Sequence, residues 1–569
     1  MRKLKIILIL ALAGLQGLGT FNACAQKSDI AVMQTNVART LNVDKPHLNF
    51  PVKNGAPLRH VTVQVNGRVE RAFDIELADG LPDWWAFLDT TPFLGKTVEI
   101  AVDKLPGGST GLSLIDQSDE IKNSQDVYHE PLRPQFHFTS RRGWLNDPNG
   151  LVFYEGEYHL FYQHNPYGWN WGNMHWGHAV SADLVHWREL PVALYPDEHG
   201  TMFSGSAVVD WNNTAGFQTG MEPALVAMFT AAGEPFTQEI AYSNDRGRTW
   251  TKYKDNPVLG HLAAQNRDPK VVWFAPQKKW IMALYLDGND YALFDSPDLK
   301  QWRKVSEVHL PGDAECPNFF QAPLDGNTND MRWVFFGASG IYLVGEFDGS
   351  RFTPETRPQR LQNGNCWYAA QVYSDIPARD GRCILIPWGR LPDGNIFRGM
   401  TFNQMMGLPV ELTLHSTANG AALAASPVRE LQSLRQTTNI IGPQALKPGD
   451  NPLADTRGDL LEIEADIAMG DAKEISFDLQ GTTVVYDAAA QKISCLGNQA
   501  PLIAGDGRIS LHLFLDRAAL DIFGGDGALY MPMARAFSGE NKTLKLSCRG
   551  GSARVVSLKV YELKSIFKK

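Results

Sequence analysis

The chain has 569 residues, too many for one hydrophobic core, so roughly three domains are expected. A hydrophobic content of 44% and a charged content of 20% are those of a soluble globular protein. A formal net charge of -9 argues against nucleic acid as the main partner and gives no reason to expect an anionic substrate, so a neutral ligand fits better.

Residues 1–25 read as an export signal. Arg2, Lys3 and Lys5 precede an apolar run over residues 6–15 that is too short to span a bilayer, and Ala23-Cys24-Ala25 matches a small-x-small cleavage site. Cys24 leaves a second reading open, the lipid-modified first residue of a bacterial lipoprotein. No other long apolar run follows, so no membrane span is expected. Beyond the signal stand Cys316, Cys366, Cys383, Cys495 and Cys548, an odd number without CxxC or zinc spacing. Cys495 and Cys548 lie in strand-like stretches and could pair.

Residues 27–130 predict a small β domain. Val61, Val63 and Val65 alternate with polar residues, Asn66-Gly67 turns, and residues 69–77 return. Residues 98–102 form another strand. Trp84-Trp85 reads as core or domain contact rather than a sugar platform. Residues 124–133 read as a linker.

An internal repeat fills residues 133–430. Ser181-x-Asp183 closes on Trp187, Ser243-x-Asp245 on Trp250 and Ser296-x-Asp298 on Trp302, with an echo in Asp348 and Phe352. The closing aromatics are 63, 52 and 50 residues apart. A period near 50 built of short strands indicates a β-propeller. A second set of motifs lies at another phase: Asn146-Asp147-Pro148, Phe203-Ser204-Gly205-Ser206, Arg267-Asp268-Pro269, Glu315-Cys316-Pro317 and Trp367-Tyr368-Ala369-Ala370. Five members predict five blades. One phase means one radius, so Asp147, Asp268 and Glu315 are expected to meet at the central channel. After residue 435 tryptophan disappears, and short alternating strands predict a structural β-sandwich over 436–566.

Three converging acids without a metal motif point to glycoside hydrolysis, which needs a nucleophile or base, a proton donor and bracing for developing charge. Arg267 is expected to keep Asp268 ionised. Apolar neighbours of Glu315 would suit a proton donor. Trp144, Trp169, Trp171 and Trp388 offer flat faces for a sugar, and Asn146, Gln163 and Ser206 offer hydrogen bonds. His164, His175 and His178 include a ligand-like spacing but read as structural or hydroxyl-binding, and no metal or cofactor is expected.

Gln135-Phe136-His137-Phe138, Trp144-Leu145-Asn146-Asp147-Pro148-Asn149-Gly150, Phe161-Tyr162-Gln163-His164-Asn165-Pro166 and the motifs at 203–206, 267–269 and 315–316 together resemble glycoside hydrolase family 32. The resemblance covers roughly residues 133–560. It implies an all-β, five-bladed propeller followed by a β-sandwich, and hydrolysis of β-D-fructofuranosides with retention. Carried over by motif, Asp147 resembles the nucleophile, Glu315 the acid/base and Asp268 the transition-state stabiliser. Asn146, Gln163, Trp171, Phe203, Ser206, Arg267 and Trp388 match positions lining the fructose pocket. Leu145 replaces the usual Met. Asn365-Cys366-Trp367 replaces an acid before Tyr368-Ala369-Ala370, and residues 27–130 lie outside the family pattern. The implied protein is an exported fructanase, exo-acting on levan or inulin, with sucrose as a side substrate. A fructosyltransferase and a non-catalytic fructan-binding surface protein are the alternatives. A retaining mechanism would set the Asp147 and Glu315 carboxyls about 5–5.5 Å apart.

Overall fold

The structure is a computed structural model that describes residues 32–536 and 539–567; the export-signal and Cys24 readings fall outside them. Among the described residues no helix is long and apolar enough to cross a membrane. The fold is all-β.

The N-terminal domain packs two sheets face to face. One runs Met33–Asn42, Thr97–Pro106, Arg59–Val65, Arg68–Ile75; the other runs Trp84–Asp89, His47–Val52, Asp116–Ser118. Val61, Val63 and Val65 point inward because side chains alternate along a strand. Asn66 and Gly67 both take positive φ, as a two-residue hairpin with this twist requires. Trp84 is buried in this core, while half-buried Trp85 lies under the Lys122 ammonium, 3.8 Å from its ring centre. Neither faces a sugar site.

Three sheets follow. They begin with Gly143–Tyr154, Thr201–Asp210 and Arg267–Phe274, and each adds its next strands antiparallel and outward. Where the repeat predicts two further separate units, the strands run into one ten-stranded sheet, joined where Leu324 pairs in parallel with Leu414. The five strands Gly143–Tyr154, Thr201–Asp210, Arg267–Phe274, Asn318–Leu324 and Tyr368–Val372 touch in that order, and the last returns to the first. Phe402–Asn403 comes back to pair in parallel with Gly143 and Trp144. The repeated aspartates are turn builders. Asp183 Oδ1 accepts the amides of Val185 and His186, and Asp298 Oδ1 those of Lys300 and Gln301. Asp348 does the same for Ser350 and Arg351, so the repeat is legible because each turn needs this carboxylate. Trp187, Trp250 and Trp302 are half-buried against the cores between sheets.

The C-terminal sandwich stacks a seven-stranded and a five-stranded sheet. Cys495 and Cys548 are both free cysteines, contrary to the pairing considered above. Their strands, Lys492–Cys495 and Leu544–Arg549, are separated by two others in the sheet. Three strand spacings amount to about 14 Å, far beyond disulfide reach.

Two clusters of contacts stand out among those that fasten the sandwich to the preceding region. Asp516, fully buried in a strand turn, accepts the backbone amides of Gln135, Phe136 and His137 and pairs with His137 Nδ1 at 2.9 Å. His137 Nε2 meets Asp521 Oδ2 at 3.0 Å. Burial alone would lower the imidazole pKa, but these two aspartates raise it to about 9, so His137 is a buried cation. Burial works against the Asp516 carboxylate too, yet His137 and the amides hold it below the usual range. The second cluster is Asn363–Cys366. Asn365 and Cys366 donate backbone amides to Pro532 O, and Asn365 Oδ1 accepts from Ala534 N. A Cβ on Gly364 would fall 1.8 Å from Pro532 O. The departure from the family pattern at Asn365-Cys366 is thus spent on domain docking.

Candidate active site

Four of the five inner strands open on an irregular stretch, where Asp147 and Asp268 sit, and Glu315 stands in the bend that leads into the other, Asn318–Leu324. Register shifts fall between Leu145 and Pro148, Met202 and Gly205, Arg267 and Lys270, and Tyr368 and Gln371. A bulge breaks the alternation of side chains and re-aims one toward the end of the strand. Asp268, Glu315, Cys316 and Ala369 all take positive φ, which costs of order 1–3 kcal/mol for a non-glycine residue and gathers at functional sites. Pro148 pins the first bulge beside Asp147.

The result is one cavity of about 410 Å³ lined by Asp147 and Asp268 from two different sheets and by Glu315 from the bend that leads into a third. Asn146, Gln163, Trp171, Phe203, Arg267 and Trp388 line it as well. Asp147 Oδ2 accepts from Ser204 Oγ at 2.7 Å, and Oδ1 accepts from Asn146 Nδ2 at 3.1 Å. The Cys316 thiol lies 3.4 Å from Asp268 Oδ2 and 3.6 Å from Asp147 Oδ2, between the two carboxylates. Asp268 Oδ2 also accepts the Cys316 amide at 3.1 Å. Glu315 is held by Arg267 Nη2 on one oxygen and by the Tyr368 hydroxyl on the other. The apolar surroundings expected for Glu315 are therefore absent at its carboxylate, because it stands in the bend at residues 315–316, at the polar mouth, while Phe319 and Phe320 lie in the strand that follows.

Burial raises the Asp147 pKa, the nearby Glu315 charge adds to this, and the Ser204 and Asn146 bonds oppose it. Burial pushes Asp268 up to about 7 against the pull of Arg267, with Asp147 and Glu315 adding repulsion. Contrary to the expectation from sequence, Arg267 does not outweigh burial at Asp268. The guanidinium reaches only to 3.8 Å from Asp268 Oδ2, whereas it makes a direct hydrogen bond to Glu315.

Beneath the acids lies a layer of buried, hydrogen-bonded side chains. Gln371 joins Leu151 N to Gly205 O, and Asn318 joins Ala370 O to Val372 N. Ser206 Oγ, fully buried, donates to Pro269 O and accepts from Val271 N. Ser206 is thus part of the floor rather than a pocket wall, since it lies two residues deeper along its strand than Ser204. Trp144 stands behind Asn146, donating to its Oδ1 at 2.9 Å, and Trp169 is half-buried and donates to Phe402 O. The histidines face away from the cavity. His164 donates to Trp144 O and is lowered by burial to about 4; His175 bonds Asn173 O and falls to about 3. His178 meets His159 at 3.0 Å and is held neutral by burial.

Ser204, Phe236, Gln265 and Tyr368 line the cavity but were not singled out from sequence. Tyr368 stood in the fifth motif, and its phase was the available signal. Ser204 stood beside Ser206, and only the bulge decides which of the two faces in. Phe236 and Gln265 lie in loops without a motif. Trp171, Phe203 and Phe236 form an edge-to-face aromatic wall, with ring centres 6.0 and 5.5 Å apart.

Residues 137–427 match the glycosyl hydrolases family 32 N-terminal domain, and residues 430–562 match the family 32 C-terminal domain. The chain is 41% identical over 485 residues to a levanase of Bacillus subtilis, a match that covers 77% of this chain and 72% of the relative. It is 31% identical to an extracellular exo-inulinase of Aspergillus awamori, over 77% of this chain and 96% of that one. A crystal structure of exo-inulinase from the same fungus superposes with a TM-score of 0.70 at 29% identity, covering 77% of this chain and all of the other.

Proposed function

The chain belongs to glycoside hydrolase family 32 and is a hydrolase of fructosides, and from that premise we propose a retaining, exo-acting fructanase that releases fructose from levan or inulin and also accepts sucrose. The observation that carries this reading is the convergence of Asp147, Asp268 and Glu315, from three separate parts of the chain, on one cavity floored by buried hydrogen-bonded side chains. A cavity closed at its far end supports entry by a chain end, whereas an open groove across the mouth would favour endo action.

In the first step Glu315 protonates the glycosidic oxygen while Asp147 attacks the anomeric carbon; in the second Glu315 takes a proton from water, which releases the sugar. Ser204 and Asn146 hold the Asp147 carboxylate in place for attack. The hydroxyl of Tyr368 and the guanidinium of Arg267 orient Glu315. Asp268, braced by Cys316 N, faces the sugar hydroxyls and the positive charge that develops on the ring. Asn146, Gln163, Trp171, Phe203, Arg267 and Trp388 form the fructose pocket with Ser204 and Tyr368.

The same reading divides the chain into 27–130, a five-bladed propeller over 133–430 and the sandwich over 436–566. The closed order of the five inner strands supports five blades. Export is supported by the extracellular relative. Timed product analysis on levan, inulin and sucrose tests the proposal. Fructose as the first product from the polymers is the expected result. Early oligosaccharides would refute exo action, and growth of fructosyl chains at high sucrose would make the enzyme a transferase.

A further inference from the structure

Trp171, 57% exposed, stands in the cavity wall on the loop between strands Glu157–Asn165 and His175–Ser181. On both sides of it the loop is held by the N-terminal domain. Tyr167, 1% exposed, lies inside that domain's core, stacked on Phe73 at 3.7 Å between ring centres and edge-on to Phe50. Asn173 Nδ2 donates to Asp74 O at 2.7 Å, and its Oδ1 accepts from Asp74 N at 2.8 Å. Strand Arg68–Ile75 is the edge of its sheet, so Asn173 occupies the backbone groups of Asp74 that a further strand would have used. The positive φ of Asn173 is one that asparagine tolerates better than most residues. Trp169, between the two anchors, packs against the same core.

We propose that the N-terminal domain is a positioning element for substrate binding. It stacks Phe73 on Tyr167 and grips Asn173 through the Asp74 backbone, which fixes Trp171 against the sugar. Without these anchors the loop would lose its order in the free enzyme, and substrate would have to restore it on binding. The inference rests on the reading of the cavity as the fructoside site with Trp171 in its wall.

Steady-state kinetics on levan for the full chain test it. Asn173→Gly keeps the left-handed backbone and removes both bonds to Asp74, together with a bond from Nδ2 to Asn165 Oδ1 within the loop that Phe73→Leu leaves intact. Its KM should rise roughly 3–10-fold, the worth of about one net hydrogen bond, with kcat within about twofold. Trp171→Ala should raise KM on its own, and adding Asn173→Gly to it should raise KM no further, because both act through one side chain. Phe73→Leu, made from the N-terminal side, should repeat the KM shift and decides the matter if Asn173→Gly does not fold. An unchanged KM in the folded anchor variants, or effects that add in full to Trp171→Ala, would overturn the proposal. An unchanged KM in Trp171→Ala would instead refute the pocket reading, and the proposal with it.

Discussion

Asp516 and Asp147 are both carboxylates that accept several hydrogen bonds inside the protein, yet their environments shift them in opposite directions. Asp516 meets three backbone amides and the His137 cation, and is held below the usual carboxylate range. Asp147, in one cavity with Asp268 and Glu315, is raised, chiefly by burial and further by the Glu315 charge. The first cluster carries its own counterion and joins two domains. The second gathers three acids around one guanidinium, Arg267, and leaves the shortage of positive charge to be met by a reacting sugar. A buried acid that is fully matched is structural; acids that crowd one another on bulged backbone are poised for chemistry.

The comparison predicts different losses for the two clusters. Asp147→Asn and Glu315→Gln should fold normally and lose on the order of 10²–10⁴-fold or more in kcat/KM. Turnover near the wild-type rate in either would remove that residue from the chemistry. His137→Ala should leave the three acids in place and cost about 3–5 kcal/mol of stability, since it strands two buried aspartates without their cation. Thermal melts would show this, and an unaltered Tm would mean the latch carries no load.

The pH dependence of stability separates the clusters further. His137 keeps its charge up to about pH 9 in the fold, against 6.5 unfolded. Its contribution is whole below pH 6.5 and disappears as the pH climbs through about 9. Asp516 acts at the other end: its contribution is present above pH 3.8 and is lost as the pH falls through its lowered value. Asp268 has the opposite sign to Asp516. Its pKa is raised from 3.8 to about 7, so ionising it at neutral pH costs stability. Asp268→Asn should therefore raise Tm at pH 8 by a few degrees while weakening the transition state by roughly 3 kcal/mol. A lower Tm in this variant would show that Arg267 compensates Asp268 after all.

The smallest effect is expected at Ser204. Its hydroxyl favours the ionised form of Asp147, so Ser204→Ala should cost roughly tenfold in activity, the value of one hydrogen bond to a charged group. It should also move the acid limb of kcat/KM to higher pH, because Asp147 loses a group that lowers its pKa. An acid limb that stays in place would argue that the limb reports another residue.

The sequence showed some of this contrast and concealed the rest for physical reasons. Asp147, Asp268 and Glu315 stood out because they recur at one phase of a repeat whose turns need Asp183, Asp245 and Asp298. Asn66-Gly67 was legible because a two-residue hairpin leaves few other choices. The join of Leu324 to Leu414 was not, since a pairing across 90 residues leaves no local pattern. Ser204 and Ser206 exchanged roles through a bulge that sequence does not mark. Asp516-Arg517 read as an ordinary strand turn, and its partner His137 lies 379 residues away. Asn173 and Tyr167 looked like loop residues because the core they serve belongs to another domain.

The central claim, that Asp147 attacks the sugar, is tested most directly by the stereochemistry of transfer to methanol. Hydrolysis of levan in aqueous methanol, followed by proton NMR of the methyl fructoside formed, avoids the mutarotation of free fructose. Double displacement through Asp147 predicts methyl β-D-fructofuranoside. The α-anomer, or no methyl fructoside at any methanol content that preserves turnover, would contradict it.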